Sequence, residues 1–361
     1  MALSLQLLLV LCMCLLCHKV DARNHSHQKR LQRFSRSQKF ESVLLMRDNE
    51  FDCVDIYKQP AFQHSMLKNH KIQLSPTFKT ATTQSRPSKT WKDFKGKNMS
   101  IGCPPGKVPI HRGNMMHQTN STHFVNQFPG YAKLHANLLD TNKETTYHGG
   151  YAEINICKVS GVEKGQYSLA QVYAHSDAAK DLDIIKVGWG VDQDGCYNVV
   201  CPGFVQVSSE LAFGAVMTPN PKGLVSESYV YIGIEQDHIT GHWWFVSGKN
   251  PIGYWPKELL PHISNGAAKI RFGGETASSL DNTSPPMGNG ILPEGHNSNS
   301  CFFAGLRIMD SEFHIQEIKP EDITVYSDTN PHCYGLLYEG YQGELFRQSF
   351  FFGGPGGDCG V

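Results

Sequence analysis

The sequence predicts an all-β protein: an antiparallel β-sandwich preceded by a small, basic N-terminal segment. Two observations lead to this prediction. Short runs in which apolar and polar residues alternate recur from about residue 147 to the end of the chain, and turn-forming residues separate them at intervals typical of sandwich folds. No run with helical periodicity exceeds two turns, with 256–263 as the one exception.

The predicted strands follow this alternation along the chain. The clearest are 151–157, 167–173 and 229–234, and further strands are expected at 184–190, 203–216, 242–247, 267–272, 302–309 and 322–326. Near the N-terminal end, 51–57 also alternates, whereas 111–140 has the composition of a loop. Three consecutive Phe residues at 350–352 precede a Gly-Gly-Pro turn and predict a last buried strand, although a ligand-binding aromatic patch is the alternative.

Residues 1–22 predict a secretory signal peptide. The apolar run from Leu7 to Cys17 is too short to span a membrane, and the small-residue pattern Val20-Asp21-Ala22 that precedes signal cleavage follows it. We therefore expect a secreted, extracellular protein with no membrane segment. The expected divisions are 1–22 for the signal peptide, 23–138 for the N-terminal segment and 139–361 for the β domain.

The formal net charge of zero conceals an uneven distribution. Residues 23–138 contain 19 Lys and Arg against 6 Asp and Glu, whereas 139–361 contain 13 against 26. Because opposite charges attract, we expect the basic N-terminal segment to bind the acidic β domain of its own chain. The alternative is a basic arm that binds an acidic polysaccharide or nucleic acid, and predicted secretion argues against nucleic acid.

The cysteines predict disulfides. Three of the eleven lie in the predicted signal, and the remaining even number in an oxidising compartment is typical of a disulfide framework. The expected pairs are Cys53–Cys103, Cys196–Cys201, Cys333–Cys359 and, by elimination, Cys157–Cys301. Four sequons predict N-glycans at Asn24, Asn98, Asn120 and Asn282.

No metal or cofactor is predicted. His238 and His242 have a ligand-like spacing, but Thr240-Gly241 between them argues against the helix that this spacing requires. The chain also lacks the short motifs of nucleotide-binding loops, serine hydrolases and zinc peptidases.

Glu275 is the residue that most directly suggests chemistry. It follows Gly273-Gly274 at the end of the predicted strand 267–272, and glycines allow a ligand to approach the backbone closely. An exposed glutamate without a function is the alternative interpretation.

Several motifs occur in a fixed order from about residue 40 to the C-terminal end. The N-terminal segment contains CVDIYKQPAF at 53–62 and LKNH at 67–70, and a second ordered stretch begins with CP at 103–104. The β domain contains GW at 188–189, GCYN at 195–198, CPGFVQ at 201–206, WW at 243–244, GYWP at 253–256, FGGE at 272–275, MG at 287–288 and FGGPG at 352–356. This series resembles the plant neprosin family, with an activation peptide followed by a peptidase domain.

The resemblance implies a secreted, proline-directed glutamic endopeptidase that is made with an inhibitory propeptide and folds as an antiparallel β-sandwich. In such a site two neighbouring glutamates share one proton and activate a water molecule. Glu275 matches one of them, but the other position is Lys186 in this chain. A lysine ammonium cannot release its proton at acidic pH, so we expect Lys186 to form an ion pair with Glu275 and to remove most or all activity.

Three hypotheses follow. The first is an inactive member that binds a Pro-containing peptide or extracellular protein on apolar platforms, which are expected at Trp189, Trp243, Trp244, Tyr254 and Trp255, although core packing is an alternative role for these rings. The second is an active endopeptidase in which Glu153, Glu163 or Gln166 replaces the missing partner of Glu275. The third is a protein that binds wall polysaccharide on a face of the sandwich.

Overall fold

The computed structural model describes residues 51–79, 102–111, 131–142, 145–177, 182–192, 202–211, 229–279, 283–294 and 299–360, together with residues 199 and 213. Within these ranges the chain forms sixteen strands, and every strand pairing is antiparallel. The predicted all-β, antiparallel fold is therefore confirmed.

One layer is a nine-stranded sheet. Its strands in spatial order are β15 (Gly335–Tyr341), β16 (Gln348–Gly353), β12 (Cys301–Met309), β4 (Gly149–Asn155), β8 (Tyr229–Gln236), β9 (Trp243–Ser247), β10 (Asn250–Trp255) and β7 (Val205–Gln206), and β13 (Ile315–Glu317) pairs with β12. The last strand, β16, contains the three Phe residues; Phe350 and Phe352 are fully buried, as predicted for a strand in the core.

The other layer is a five-stranded sheet. Its spatial order is β14 (Ile323–Ser327), β3 (Tyr131–Thr141), β11 (Lys269–Ser279), β5 (Gln166–His175) and β6 (Ile184–Asp192). A separate pair consists of β1 (Phe51–Asp55) and β2 (Lys107–His111). The helical elements of the described residues are short: an α-helix at Gly343–Phe346 and 3-10 turns at Ile56–Lys58, Pro60–Gln63, Ser65–Leu67, Lys257–Leu259, Pro261–Ile263 and Pro320–Asp322.

The core lies between the two large sheets. Alternation along the strands turns Ala152 of β4 toward Val172 of β5 and Phe272 of β11, and all three side chains are fully buried. Gly150 lies where the sheets approach most closely, because a Cβ there would come within 2.5 Å of Ile270 Cγ2. Odd-numbered residues of β5 and β11 consequently face away from the nine-stranded sheet.

Four predictions of local structure were wrong in type or extent. The segment 111–140 was predicted as a loop, but β3 occupies Tyr131–Thr141 and pairs with both β11 and β14. The strand predicted at 267–272 continues to Ser279 as β11. The exceptional helical run at 256–263 forms two 3-10 turns, and of 203–216 only Val205–Gln206 is a strand among the residues that the structure describes.

Three predicted disulfides are present. Cys53–Cys103 links β1 to the residues before β2, Cys157–Cys301 links the end of β4 to β12, and Cys333–Cys359 fastens the C-terminal residues. Cys196 and Cys201 lie outside the described residues, as do the predicted signal 1–22 and the four predicted glycan sites. The disulfides are consistent with a secreted protein. In the described part of the chain no helix is long and apolar enough to cross a membrane.

The described N-terminal residues pack on the β7–β10–β9 side of the nine-stranded sheet. The Gln59 side chain receives a hydrogen bond from the Gln206 backbone N–H (2.7 Å) and donates one to the Gln206 carbonyl (3.0 Å). Leu67 is fully buried in a cluster with Trp244 and Tyr254. The division predicted between 138 and 139 falls inside β3, so that strand joins the N-terminal part of the chain to the β domain.

Candidate functional site

Glu275 lies in the middle of β11, and not just past the end of a strand as the sequence suggested. The strand continues through the two glycines that precede Glu275. Both positions need a residue without a side chain. Gly273 has φ +151°, and a Cβ on Gly274 would come within 2.5 Å of Met287 Sδ. The carboxylate therefore projects from a central strand of the five-stranded sheet, on the face turned away from the core.

The ion pair expected between Lys186 and Glu275 is present. Lys186 Nζ lies 2.9 Å from both Glu275 oxygens, and the Tyr167 hydroxyl donates a third hydrogen bond to Oε1 at 2.7 Å. Strand pairing sets this geometry, since β6 and β11 flank β5 on opposite sides and Tyr167 is the second residue of β5. The Lys186 side chain is 34% exposed and that of Glu275 13%, so the pair is accessible from solvent.

Two further charge interactions lie on the same face as the Lys186–Glu275 pair. The Lys186 ammonium lies 5.2 Å from the centre of the Tyr173 ring, within cation–π range. On the same face, Arg271 donates to Asp140 at 2.7 Å. Burial raises the pKa of Asp140 and the Arg271 charge opposes that effect. Glu275 and Asp140 thus each have a cationic partner, whereas in a catalytic glutamate pair two carboxyl groups share a proton.

Glycines on β6 allow this arrangement. A Cβ on Gly188 would come within 1.9 Å of the Ala170 carbonyl oxygen and 2.8 Å of Gln171 Cγ, and one on Gly190 within 2.3 Å of Leu169 Cδ2. The side chains of β5 therefore lie over β6 where these glycines occur.

Two of the three proposed substitutes for a catalytic partner, Glu153 and Gln166, do not lie beside Glu275. Glu153 is on β4, where alternation turns it away from the five-stranded sheet, whereas Glu275 projects in the opposite direction. Gln166 is buried, and its amide bonds to the Glu163 backbone N–H and the Thr283 carbonyl. Tyr167, which does bond to Glu275, was missed because only the β5–β11 register reveals its position.

The five aromatic residues predicted to bind substrate are not gathered at this site. Trp189 lies on the core side of β6 and donates to the Asn155 carbonyl at 2.9 Å, and Trp243 is buried and donates to the Ile263 carbonyl. Trp244 and Tyr254 are buried under the N-terminal residues, and half-buried Trp255 packs on Phe204. For Trp189 and Trp243 this geometry fits the alternative of core packing.

No metal centre is formed by the residues that the structure describes, since no group of three or more His, Cys, Asp or Glu side chains among them could hold an ion. The site thus consists of the Lys186–Glu275 ion pair and the Tyr167 hydroxyl on the face of the five-stranded sheet that is turned away from the core.

Comparison with known protein families identifies the chain. The family model described as Neprosin matches residues 190–355, and the one described as Neprosin activation peptide matches residues 47–148. The chain belongs to the neprosin family. Its neprosin domain indicates a member related to the glutamic prolyl endopeptidases. Glu275 lies within the matched part of the neprosin domain, whereas Lys186 lies in the stretch between the two matches.

Proposed function

We propose that this neprosin-family protein is catalytically silent and acts by binding Pro-containing peptides or proteins outside the cell. One observation carries the proposal: Lys186 Nζ contacts both oxygens of Glu275 at 2.9 Å. General acid–base hydrolysis by a carboxylate pair needs one protonated and one ionised group that exchange a proton during the reaction. A lysine in the second position supplies a fixed positive charge instead.

The surrounding groups support the same conclusion. Tyr167 also donates to Glu275, so both carboxylate oxygens are engaged before any water or substrate arrives. Two donor groups thus make three hydrogen bonds to this carboxylate, and a water molecule would have to displace one of them to be activated. Entry into the secretory pathway through residues 1–22 and glycosylation at the predicted sequons belong to this proposal as well.

The experiment compares peptide cleavage by the purified, acid-treated full chain and three variants, with products identified by mass spectrometry. We expect no cleavage of a Pro-containing peptide by the wild type or by Glu275→Gln. Lys186→Glu restores a carboxylate pair and should gain cleavage at acidic pH. Lys186→Gln removes the charge without supplying an acid and is the matched control, which should stay inactive.

Cleavage by the wild type that Glu275→Gln abolishes would overturn the proposal and favour an active peptidase with another partner group. Binding of the same peptide is measured separately by calorimetry, at neutral and acidic pH. If the wild type bound wall polysaccharide but no Pro-containing peptide, the proposed ligand would be a glycan and not a peptide.

A further inference from the structure

The N-terminal residues occupy a groove on the outer face of the nine-stranded sheet. We call residues 70–78 the docked segment, and the surface beneath it, formed by Asp237, Trp244 and Tyr254, the docking groove. Trp244 of β9 lies opposite Glu235 of β8 and Tyr254 of β10 in the strand register. Its side chain is on the face of the sheet opposite Trp243 and the core. The groove and the Lys186–Glu275 pair therefore lie on different sheets and face away from each other.

Asp237 is held ready to bind backbone donors. Its Oδ1 accepts the N–H groups of Ile239 (3.0 Å) and Thr240 (3.3 Å), which belong to its own turn. Its Oδ2 accepts from Gln73 Nε2 (2.9 Å) and the Thr77 N–H (2.8 Å), both in the docked segment. The turn thus fixes the orientation of a buried carboxylate, and the docked segment bonds to both of its oxygens, since the Thr77 hydroxyl also donates to Oδ1 at 2.6 Å.

Tyr254 provides the second polar contact. Its hydroxyl, on a fully buried side chain, accepts the Gln73 N–H at 2.9 Å and lies 2.8 Å from His70 Nε2. Among the described residues, all hydrogen-bond partners of this hydroxyl belong to the docked segment. Buried polar groups are normally paired, so the groove requires a peptide or its equivalent to complete these contacts.

Apolar contacts flank the polar ones. Ile72 and Phe78, at the two ends of the Gln73–Thr77 stretch, pack against the cluster that contains Trp244 and Tyr254. The indole N–H of Trp244 is buried and has no hydrogen-bond partner within the described part of the chain. Bonds to peptide backbone combined with pockets for separate side chains are the usual basis of peptide recognition.

We propose that the docking groove is a peptide-binding site, separate from the Lys186–Glu275 site, whose resting occupant is residues 70–78 of the same chain. It recognises a short irregular peptide with Gln and, four positions later, Thr, flanked by an apolar residue on each side. A peptide of this class binds in trans when the docked segment is weakened or displaced. The proposal does not depend on whether the protein cleaves peptides.

The test uses the full chain and a fluorescein-labelled peptide with the sequence of residues 70–79, followed by fluorescence anisotropy. Gln73→Ala with Thr77→Ala in the protein weakens the docked segment, and this variant should bind the labelled peptide at least 10-fold more tightly than the wild type does. Adding Asp237→Asn should weaken binding at least 10-fold, because an amide nitrogen then replaces one acceptor oxygen. Lys186→Gln, which is expected to stay inactive, should leave binding unchanged.

A second labelled peptide, with Ala at the positions of Gln73 and Thr77, serves as the control that needs no further change to the protein. It should bind the weakened variant at least 10-fold less tightly than the native peptide. Equal binding of the two peptides, or no binding of the native peptide by a folded variant with near-ultraviolet circular dichroism like the wild type, would overturn the proposal.

Discussion

At the scale of single residues, the glycine at position 188 determines whether Lys186 can reach Glu275. Gly188 lies two residues after Lys186 on the same face of β6. A side chain at position 188 would collide with the Ala170 carbonyl oxygen and with Gln171. Because the Ala170 carbonyl oxygen belongs to the neighbouring strand, it cannot move away without disturbing the β5–β6 pairing. The lack of a side chain at 188 is thus a condition for the observed ion pair.

Gly188→Ala should destabilise the protein by about 1–3 kcal/mol, the range found when a packed site receives an extra carbon. Urea unfolding of the full chain measures this change. Gly102→Ala is the matched control, since a Cβ on Gly102 meets no atom within 4 Å and should change stability by no more than about 0.5 kcal/mol. Equal stabilities of the two variants would show that β6 adapts to the added methyl group.

The residue scale also shows what the sequence could predict about the site. The pairing of Lys186 with Glu275 follows from a positional match to a family that places two carboxylates together, and from the attraction of opposite charges. Tyr167 carries no such signal, because its hydroxyl reaches Glu275 only through the register that aligns Tyr167 with Ala277. The predicted catalytic positions remain predictions until activity is measured.

At the scale of elements, β4 and β8 carry a buried polar group that the proposed functions do not use. The Tyr151 hydroxyl donates to Glu235 Oε2 at 2.5 Å, and the Arg307 guanidinium lies over the Tyr151 and Tyr231 rings. Burial raises the pKa of Glu235 to about 7, although the hydrogen bond from Tyr151 opposes this effect. The folded protein therefore keeps a proton on Glu235 at pH values where the unfolded chain has lost it.

Glu235→Gln should remove a pH dependence of stability. A carboxyl group whose pKa is higher in the folded state stabilises it fully below about pH 4.5, and that contribution is lost as the pH rises through about 7. Between pH 5 and pH 8 the free energy of unfolding of the wild type should fall by about 2–3 kcal/mol relative to that of Glu235→Gln. Urea unfolding at several pH values measures the difference. Glu312→Gln, at a side chain that is 79% exposed, is the control; a wild-type profile parallel to that of Glu235→Gln would contradict the assignment.

Elements differed in how well the sequence predicted them. Strands such as β8 alternate regularly and were predicted within two residues, whereas β3 was missed. Leu138 and Leu139 are adjacent and both buried, one on each face of the sheet, so no alternation appears there. β11 was predicted too short because two adjacent glycines suggest the end of a strand, and only the structure explains them: Gly273 has φ +151°, and Gly274 packs against Met287 from a distant part of the sequence.

At the scale of the whole molecule, the two proposed sites lie on opposite outer faces of the layered sheets. One carries the Lys186–Glu275 pair, and the other is covered by the docked segment. The uneven charge distribution predicted that the N-terminal part would bind its own β domain. The contacts that hold residues 59–78 in place involve neutral residues such as Gln59, Gln73 and Thr77, which a charge count cannot single out.

Two histidines make the docked segment sensitive to acid. The Lys257 N–H donates to His242 Nδ1 at 3.1 Å, so His242 is neutral in this arrangement. The His70 and His242 rings are 5.4 Å apart, and both contact Tyr254. Burial lowers the pKa of both histidines; the Glu258 charge opposes this for each, whereas His70 and the Lys257 charge lower that of His242 further.

Docking should therefore weaken as the pH falls. The two histidines bind protons less readily when the segment is docked than when it is released. The docked state is therefore fully favoured above about pH 6.5, and this preference decreases as the pH falls below that value. Asp237 behaves differently: burial alone would raise its pKa, but the hydrogen bonds from Thr77, Gln73 and Ile239 together outweigh burial and lower it. Asp237 thus stays ionised and retains Thr77 at a pH where the His70 end has already loosened.

Hydrogen exchange measured by NMR at the Gln73 and Thr77 amides tests this order of events. Between pH 7 and pH 5, after correction for the intrinsic exchange rate, protection of the Gln73 amide should fall at least about tenfold, and that of the Thr77 amide should fall less. His70→Gln combined with His242→Gln should abolish the change, whereas His332→Gln, at an exposed position, should not affect it. If the double variant retained the full wild-type pH dependence, the acid sensitivity would have to come from groups other than these two histidines.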